Sequence, residues 1–449
     1  MRIKRLALAT AVLAAVSATA QADDATVTLY GVFDVAVGSL QHSLNGNDQF
    51  PGSVDPFDAV RTTVPGSMVG MMAGGISDSR WGIRGSETIS PGVKAFFTIE
   101  SGINLPTGTI NNAAGALGNN AIYGSSEAAA SSLSGQLFNR QAFVGLSDDS
   151  LGSLQFGRNY VHMFDVYTSY DPVQDAQLFS PFGFSGTYGG GSGATESMRS
   201  DNSLKYNNRL GNFNFGGLYH FGNYANGASK GRGFDINVGY EGETFGVQAV
   251  FAQYNDVMHA GTSQGVANAG TTASPGILGT NAACLGATLG CFNSVALTEQ
   301  NDRGWLLAGK YKLTSAATLK AGWQWFQQGA ASDPMTVQQY GDYYGLQVAT
   351  IGQIKGPAKE TSIPYVGGDY NFTDRLNLAA GYYDIITKNN GANQSGEQRY
   401  YSMLLDYHLS KRTDVYVGDM YSSFSGQIFP AASFYQSNNV LAAGMRHKF

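Results

Sequence analysis

The stretch Val27-Thr-Leu-Tyr-Gly-Val-Phe-Asp-Val-Ala-Val37 alternates in side-chain character along its whole length. Every second residue from Val27 is apolar or glycine, while the intervening positions include Thr28, Tyr30 and Asp34. Because successive side chains of a β-strand point to opposite sides, this period of two predicts a strand whose two faces meet different surroundings.

Similar alternation recurs through the rest of the chain. Fifteen further segments can be placed at about 79–89, 92–103, 136–147, 152–160, 199–209, 212–222, 233–241, 244–255, 303–313, 317–328, 360–371, 375–387, 397–409, 412–424 and 438–449. With the first segment, they predict an all-β protein of sixteen strands.

The connections between these segments alternate in length. Short turns are predicted at 88–92, 148–152, 210–211, 241–243, 372–374 and 410–412. Long, polar, glycine-rich links are predicted at 41–78, 104–135, 161–198, 256–302 and 329–359. Short turns at one rim and long loops at the other are typical of outer-membrane barrels. The sequence therefore predicts a 16-stranded antiparallel transmembrane β-barrel with short periplasmic turns and long extracellular loops.

The two faces of the predicted strands differ in polarity. The segment 212–222 presents Phe213, Phe215, Tyr219 and Phe221 on one side, as expected for a face that meets lipid. The opposite faces of three strands carry residues that are too polar for a dry core: Asn212, Asn214, His220, Lys310, Lys312, Lys320 and Gln324. Since sixteen strands enclose more space than side chains can fill, we expect a water-filled interior.

The first residues resemble an export signal. A basic start is followed by an apolar run from Leu6 to Val16 and by small residues around Ala20 and Ala22. We expect cleavage after Ala22, with Ala20 as the alternative, so that 1–22 is a signal peptide and 23–449 the barrel domain. The apolar run is about half the ~20 residues that a membrane-spanning helix needs.

Charge and composition exclude some function classes. Removing Arg2, Lys4 and Arg5 with the signal leaves 24 basic side chains against 33 acidic ones, a net charge of −9. This balance argues against nucleic acid as a partner. Charged residues make up only 13% of the chain, about half of what soluble domains usually carry.

The only two cysteines, Cys284 and Cys291, lie seven positions apart in the link 256–302. Exported proteins meet an oxidising compartment, so we expect one small disulfide between them. A metal site is the alternative, but no histidine or third cysteine flanks the pair.

Several motifs, taken in order from end to end of the mature chain, resemble the general diffusion porins of beta-proteobacteria. They are Val27-Thr-Leu-Tyr-Gly31, Ser79-Arg-Trp-Gly-Ile-Arg-Gly-Ser-Glu87 with Gly92-Val-Lys-Ala95, Asn139-Arg-Gln-Ala-Phe-Val-Gly-Leu146, Phe156-Gly-Arg158, Asp201-Asn-Ser-Leu-Lys-Tyr206, Tyr407-His-Leu-Ser-Lys-Arg-Thr-Asp-Val-Tyr416 and the terminal Arg-His-Lys-Phe449. The resemblance implies a homotrimer in the Gram-negative outer membrane, in contact with its lipid and lipopolysaccharide. It also implies a third loop, 161–198, folded inward as a constriction, and a terminal Phe449 that the barrel-assembly machinery reads as a signal.

Basic residues are expected to line one side of the channel. Arg80 and Arg84 share a strand face opposite Trp81, so both should point into water. Arg158 and Arg199 match family positions that form a basic ladder. Strict alternation from Phe156 would send Arg158 into lipid, so we expect either a bulge near Gly157 or a strand that has already left the bilayer at this point.

Acidic residues of the predicted third loop are expected to face this ladder. The loop carries Asp165, Asp171, Asp175 and Glu196. Opposed charges across a narrow aqueous gap create a transverse field, and low-dielectric walls focus it. The alternative interpretation is that all of these residues are ordinary solvated charges that keep the interior wet.

Catalysis is not expected, and neither is a cofactor. Gly261-Thr-Ser-Gln-Gly265 has the spacing of a hydrolase elbow but lies in a long hydrophilic link without helical periodicity. The expected function is passive diffusion of small hydrophilic solutes and ions. A substrate-selective channel for a sugar or an anion is the alternative, and an adhesin or receptor barrel is a third possibility.

Overall fold

We describe the chain from a computed structural model. The structure describes residues 25–42, 66–106, 108–110, 137–182, 199–222, 231–260, 294–334, 342–343, 346–354, 356–389, 395–426 and 437–449. The signal segment 1–22, Glu196 and both cysteines therefore lie outside the described residues.

Twenty strands and one helix make up the described structure. In chain order they are β1 Thr26–His42, β2 Gly66–Ala73, β3 Arg80–Ser90, β4 Val93–Asn104, β5 Thr109–Ile110, β6 Gln141–Asp148, β7 Gly152–Tyr160, α1 His162–Tyr170, β8 Arg199–Leu210, β9 Phe213–His220, β10 Gly233–Glu241, β11 Phe245–Ala260, β12 Ser294–Lys312, β13 Ala317–Ala330, β14 Asp342–Tyr343, β15 Leu346–Gln353, β16 Lys359–Thr373, β17 Leu376–Lys388, β18 Gly396–His408, β19 Thr413–Gly426 and β20 Ser437–Lys448.

Sixteen of these strands close into one antiparallel barrel. The ring runs β1, β3, β4, β6 to β13 and β16 to β20, and β20 pairs with β1 from Val32 opposite Lys448 to His42 opposite Asn438. Each neighbouring pair in the ring is antiparallel. The predicted sixteen-stranded barrel is thereby confirmed.

The structure differs from the prediction where strands leave the apolar band. β12 begins at Ser294 rather than near 303, and it pairs with an extension of β11 to Ala260. Backbone pairing continues there, although the side chains no longer alternate in polarity. Alternation requires that the two faces of a strand meet different surroundings. Three links predicted as loops also contain strands: β2 pairs with β1, β5 pairs with β4, and β15 pairs with β14 and runs parallel to β12.

The outward face of the wall is apolar, as the alternation predicts. Phe213, Ile236 and Trp323 are 61%, 54% and 49% exposed. Aromatic rings form a row on this face, where Tyr382, Tyr401 and Tyr421 stand side by side near the middle of β17, β18 and β19. Such rows are expected where a barrel meets the membrane interface.

Part of the interior is apolar, which the polar residues predicted on the inner faces of three strands do not indicate. Met163, Tyr167 and Phe182, from the segment 161–182, are buried together with wall residues such as Ile363 and Tyr383. The inner wall is dry wherever this segment covers it. Helix α1, which belongs to the segment, contacts strands β9 to β13. No helix in the described ranges is long and apolar enough to cross a membrane.

Candidate functional site

The segment 161–182, which we call the inward loop, is fixed to the wall at its start. His162, the first residue of α1, is buried with its Nδ1 on Asp235 and its Nε2 2.9 Å from Asn207 Oδ1. One turn later, Asp165 accepts a hydrogen bond from Lys205 Nζ at 2.5 Å. These contacts join the helix to β8 and β10. The inward folding expected for the third loop is therefore observed for this described portion.

A second anchor follows directly after α1. Asp171 is completely buried, and its carboxylate accepts hydrogen bonds from Tyr383 Oη at 2.6 Å and from the backbone N–H of Asp175 at 2.7 Å. The ammonium group of Lys320 donates to the Asp171 carbonyl at 2.9 Å. Burial raises the pKa of the Asp171 carboxyl above its ordinary value, and the hydrogen bond from Tyr383 offsets this rise only in part.

A third anchor ties the inward loop to the segment 74–79. The backbone N–H of Leu178 donates to the Gly75 carbonyl at 2.9 Å. That segment is in turn held by Asp34 of β1, which is fully buried and accepts from the N–H groups of Ile76 and Ser77 and from the hydroxyl of Tyr416. Gly75 has no room for a side chain, because a Cβ would lie 1.9 Å from Tyr416 Oη.

The opposite wall carries an ionic cluster centred on Glu100. This carboxylate accepts from Arg140 Nε at 2.9 Å, from Tyr160 Oη at 2.8 Å and from Tyr30 Oη at 2.9 Å. Arg80 Nε lies 3.6 Å from the same carboxylate. The Arg140 side chain is 5% exposed and the Arg80 side chain 29% exposed, so Arg80 is the member of this pair that solutes can reach.

Arg140 and Glu100 were missed as site residues by the sequence reasoning. Arg140 also bonds Asp78 at 2.9 Å, and its guanidinium lies 5.8 Å from the ring of Tyr160. The register between β4 and β6 identifies Arg140 as a site residue, since Glu100 pairs with Gln141, the neighbour of Arg140. That pairing becomes visible only once the β4–β6 alignment is known.

The other predicted basic residues occupy different environments. Arg84 is exposed, and its guanidinium carbon lies 5.1 Å from the Tyr30 ring. Arg199 is buried, 5.5 Å from the Tyr160 ring. Arg158 is 9% exposed, pairs with Asp201 and donates to the Asn139 carbonyl at 2.8 Å. Arg84 and Arg199, like Arg140, therefore lie close to tyrosine rings in cation–π geometry, whereas Arg158 is held by Asp201.

Of the predicted acidic residues, Asp175 fits best the expected role of an acidic loop residue that faces the arginines of the wall. It is partly exposed and stands in a left-handed turn with Gln174, at φ values of 57° and 61°. Burial and the charge of Asp171 raise its pKa, whereas Arg140 and Arg80 across the interior lower it. Asp165 has a 45% exposed side chain that is paired with Lys205, and Asp171 is an anchor rather than a lining group.

The irregularity expected at Gly157 is present. Gly157 has a φ of 137°, and the β7–β8 register shifts between Gly157 and Asn159. Asn202, on the facing strand, is also left-handed at 48°. This bulge explains why Arg158 is buried, whereas Phe156, two residues earlier, is 48% exposed.

Replacing Gly157 with Ala is therefore expected to destabilise the barrel. A Cβ at this position would lie 2.2 Å from the Ala142 carbonyl oxygen, and the backbone angle is unfavourable for any L side chain. Strain of this kind costs about 2 kcal/mol or more. The urea midpoint of the refolded barrel would report it. Gly309→Ala, whose nearest contact is 3.7 Å, is the matched control, and equal midpoints for both variants would contradict the argument.

The fold and the site together define a class: a membrane β-barrel whose interior is narrowed by one inward loop facing a cluster of arginines. The sequence pattern of the Gram-negative porin family matches residues 9–427. The chain belongs to this family, which consists of channel proteins rather than enzymes and occupies the outer membrane.

Two curated relatives agree with this assignment. An outer membrane porin protein of Bordetella pertussis is 32% identical over 222 residues, which cover 49% of this chain and 48% of the relative. Outer membrane porin protein 32 of Delftia acidovorans is 29% identical over 218 residues, 48% of each chain. The chain thus spans about half the length of the curated relatives it matches.

Solved structures share the fold. An anion-selective porin from Comamonas acidovorans superposes with a TM-score of 0.60 at 18% identity, covering 95% of this chain and all of that one. OmpT of Vibrio cholerae superposes at 0.56 and 15% identity, covering 96% of this chain and all of that one. At these identities the similarity supports the barrel architecture alone.

Proposed function

We propose that this chain forms a water-filled channel for passive diffusion of small hydrophilic solutes and ions across the outer membrane. One observation carries the proposal: a closed barrel that is apolar outside holds charged and polar groups inside, with the inward loop anchored across from arginines. Water and polar solutes can align with charges of both signs, whereas an apolar solute must displace oriented water.

Single-channel recording in planar bilayers tests the proposal. We expect stepwise currents in potassium chloride that grow in proportion to salt concentration, since a diffusion channel has no saturable site. A salt gradient then gives the ion preference from the reversal potential. Negligible conductance from correctly folded protein would refute the proposal and favour a receptor or adhesin barrel.

A second candidate is a channel that selects anions. The cluster of Arg80, Arg84 and Tyr30 supports it, because exposed guanidinium groups beside an aromatic ring favour carboxylates and phosphates. An anion-selective porin also has the same fold. Saturation of the current by one organic anion, with no comparable effect of a sugar, would distinguish this function from general diffusion.

We further propose a homotrimer that contacts outer-membrane lipid and lipopolysaccharide and is inserted by the barrel-assembly machinery. OmpT of Vibrio cholerae has been solved in a trimer form. The export signal 1–22, the cut after Ala22 and the Cys284–Cys291 disulfide belong to the same proposal. Intact-mass measurement of the exported protein, before and after thiol alkylation, tests the cut and the disulfide together.

Deleting Phe449 is expected to impair assembly. Its backbone exchanges two hydrogen bonds with Gly31 at 3.1 Å, and its ring lies 5.0 Å from that of Phe33. Loss of one apolar side chain from the outward face would alone cost about 2 kcal/mol of stability. Phe372→Ala removes such a side chain at another exposed aromatic position and is therefore the matched control. If the terminus is a signal, the yield of inserted barrel falls far more for the deletion than for Phe372→Ala. Similar yields would reduce Phe449 to an interfacial aromatic.

A further inference from the structure

A histidine and two aspartates meet on the inner face of the barrel, beside the short turn that joins β18 to β19. His408 ends β18 and pairs directly with Asp414, the second residue of β19. Asp406 precedes His408 by two residues and therefore lies on the same face. The face is the inner one, because Tyr416, which pairs with Asp406, packs against Phe179 of the inward loop with ring centroids 6.3 Å apart. We call His408, Asp406 and Asp414 the rim cluster.

The carboxylate of Asp406 is short of hydrogen-bond donors. The residue is 9% exposed, and its Oδ1 atom is buried without a hydrogen-bond partner among the described residues. Its Oδ2 atom lies 3.8 Å from His408 Nδ1 and 3.9 Å from Arg446 Nη2, which is too far for a hydrogen bond to either. Buried carboxylates are ordinarily hydrogen-bonded, paired with a charge at close range or bound to a metal ion. Asp406 can therefore accept a further cationic partner.

Asp414 is oriented by a partner on its other side. Arg446 Nε donates to Asp414 Oδ2 at 2.7 Å, and Arg446 Nη1 donates to Ser77 Oγ at 2.9 Å. The second carboxylate oxygen, Asp414 Oδ1, faces His408 Nδ1 at 2.6 Å. The His408 side chain is 40% exposed, so water and dissolved ions can reach it. Outer partners such as Arg446 typically orient the carboxylate ligands of metal ions.

The spacing of the three side chains suits a small cation. One ligand atom from each residue lies within 4.8 Å of the other two. Bonds of about 2.0–2.2 Å to a tetrahedral zinc ion place the ligand atoms roughly 3.4 Å apart. The distance of 2.6 Å between His408 Nδ1 and Asp414 Oδ1 must therefore open by roughly 0.8 Å, and the distance of 3.8 Å to Asp406 Oδ2 must close by roughly 0.4 Å. Small torsional changes in the side chains are sufficient for both.

We infer that the rim cluster binds one divalent cation of the Zn²⁺ type, with His408 Nδ1 and the carboxylates of Asp406 and Asp414 as its protein ligands. Arg446 and Lys448 lie close enough to balance the charge of the two carboxylates, so net charge alone does not attract a cation. The affinity must come from direct coordination. An imidazole nitrogen favours Zn²⁺, whereas Ca²⁺ and Mg²⁺ prefer oxygen ligands alone.

Isothermal titration calorimetry with zinc chloride tests the site in the folded barrel, purified without a histidine tag. Cys284 and Cys291 are first replaced by Ser, so that free thiols cannot bind the metal. We expect one Zn²⁺ per chain and no comparable heat with calcium chloride. Asp406→Asn should leave the fold intact, because the carboxylate accepts no hydrogen bond from the described residues. It should weaken zinc binding by at least about tenfold, since even the outer partners of metal ligands contribute about 10–100-fold.

Two variants control for binding elsewhere on the surface. Asp374→Asn removes an exposed carboxylate from the turn between β16 and β17, and His447→Gln removes an exposed imidazole from the outward face of β20. Both should bind Zn²⁺ as tightly as the parent protein, whereas His408→Gln should lose binding. No zinc binding by the parent protein, or unchanged affinity in both Asp406→Asn and His408→Gln, would overturn the inference. Calorimetry requires no open channel, so neither result depends on the proposed diffusion function.

Discussion

Replacing Asp171 with Ala is expected to release the inward loop while the barrel stays folded. The substitution removes the acceptor of two short hydrogen bonds and leaves the buried Tyr383 hydroxyl without its carboxylate partner. A hydrogen bond contributes about 1 kcal/mol net and an unsatisfied buried hydroxyl costs about 1–3 kcal/mol, so the loop loses roughly 3 kcal/mol of its docking free energy. The turn that holds Gln174 and Asp175 at positive φ loses its support at the same time.

Current noise and proteolysis measure this release. In the variant we expect frequent subconductance fluctuations and cleavage within 162–182, with no change in the temperature at which the barrel unfolds. Thr168→Ala is the control on the same helix, because Thr168 is exposed and bonds only the Asp165 carbonyl. A quiet channel with a protease-resistant loop in the Asp171 variant would show that aromatic packing around Phe182 holds the loop without the anchor.

The same anchor predicts a pH dependence of docking. Burial raises the pKa of Asp171, and burial with the charge of Asp171 raises that of Asp175. A carboxyl group whose pKa is raised in the docked state favours docking in its protonated form. Its contribution is complete below the ordinary carboxyl pKa of about 4 and is lost as the pH rises through the raised value. Current noise should therefore increase from acidic to neutral pH, and in Asp171→Asn this increase should be smaller.

The barrel itself could be predicted from the sequence, because its two causes are local. Alternation needs only neighbouring residues, as in Val27–Val37, and the length of each connection is visible without knowing which strands pair. Even the bulge at Gly157 was predictable, since Arg158 conflicted with the face assigned to Phe156. The early start of β12 was not, because alternation fades outside the apolar band.

The site was harder to predict, because it depends on contacts between distant strands. Alternation assigns Asp171 to the inward loop but cannot reveal that Tyr383, 212 residues away, donates to it. Glu100 was overlooked for a related reason. It partly neutralises Arg140 and Arg80, which makes the wall less basic than a count of its arginines indicates. The charge on a strand face can be assigned from the sequence, whereas the partner of that charge can be identified only when the register of the neighbouring strands is known.

Replacing Arg80 with Gln is expected to shift ion selectivity toward cations. Its side chain is 29% exposed and lies on the interior wall, whereas Arg140 is shielded by Glu100 and Asp78. A unit charge about 4 Å from an ion in a water-like medium is worth about 1 kcal/mol, or roughly a fivefold change in the permeability ratio. Reversal potentials in a potassium chloride gradient measure this change directly, and higher ionic strength should reduce it.

Glu100→Gln provides the opposite change at the same place. It removes the carboxylate that Arg80 and Arg140 share, so the reversal potential should move toward anion preference by a similar amount. Arg303→Gln controls for loss of one positive charge, because Arg303 is exposed on β12, in the same outward row as Trp305 and Leu307. If Arg80→Gln and Arg303→Gln shift the potential equally, total charge rather than the interior wall sets selectivity. If Arg80→Gln and Glu100→Gln shift it in opposite directions while Arg303→Gln does not shift it, the field that solutes cross originates at this cluster.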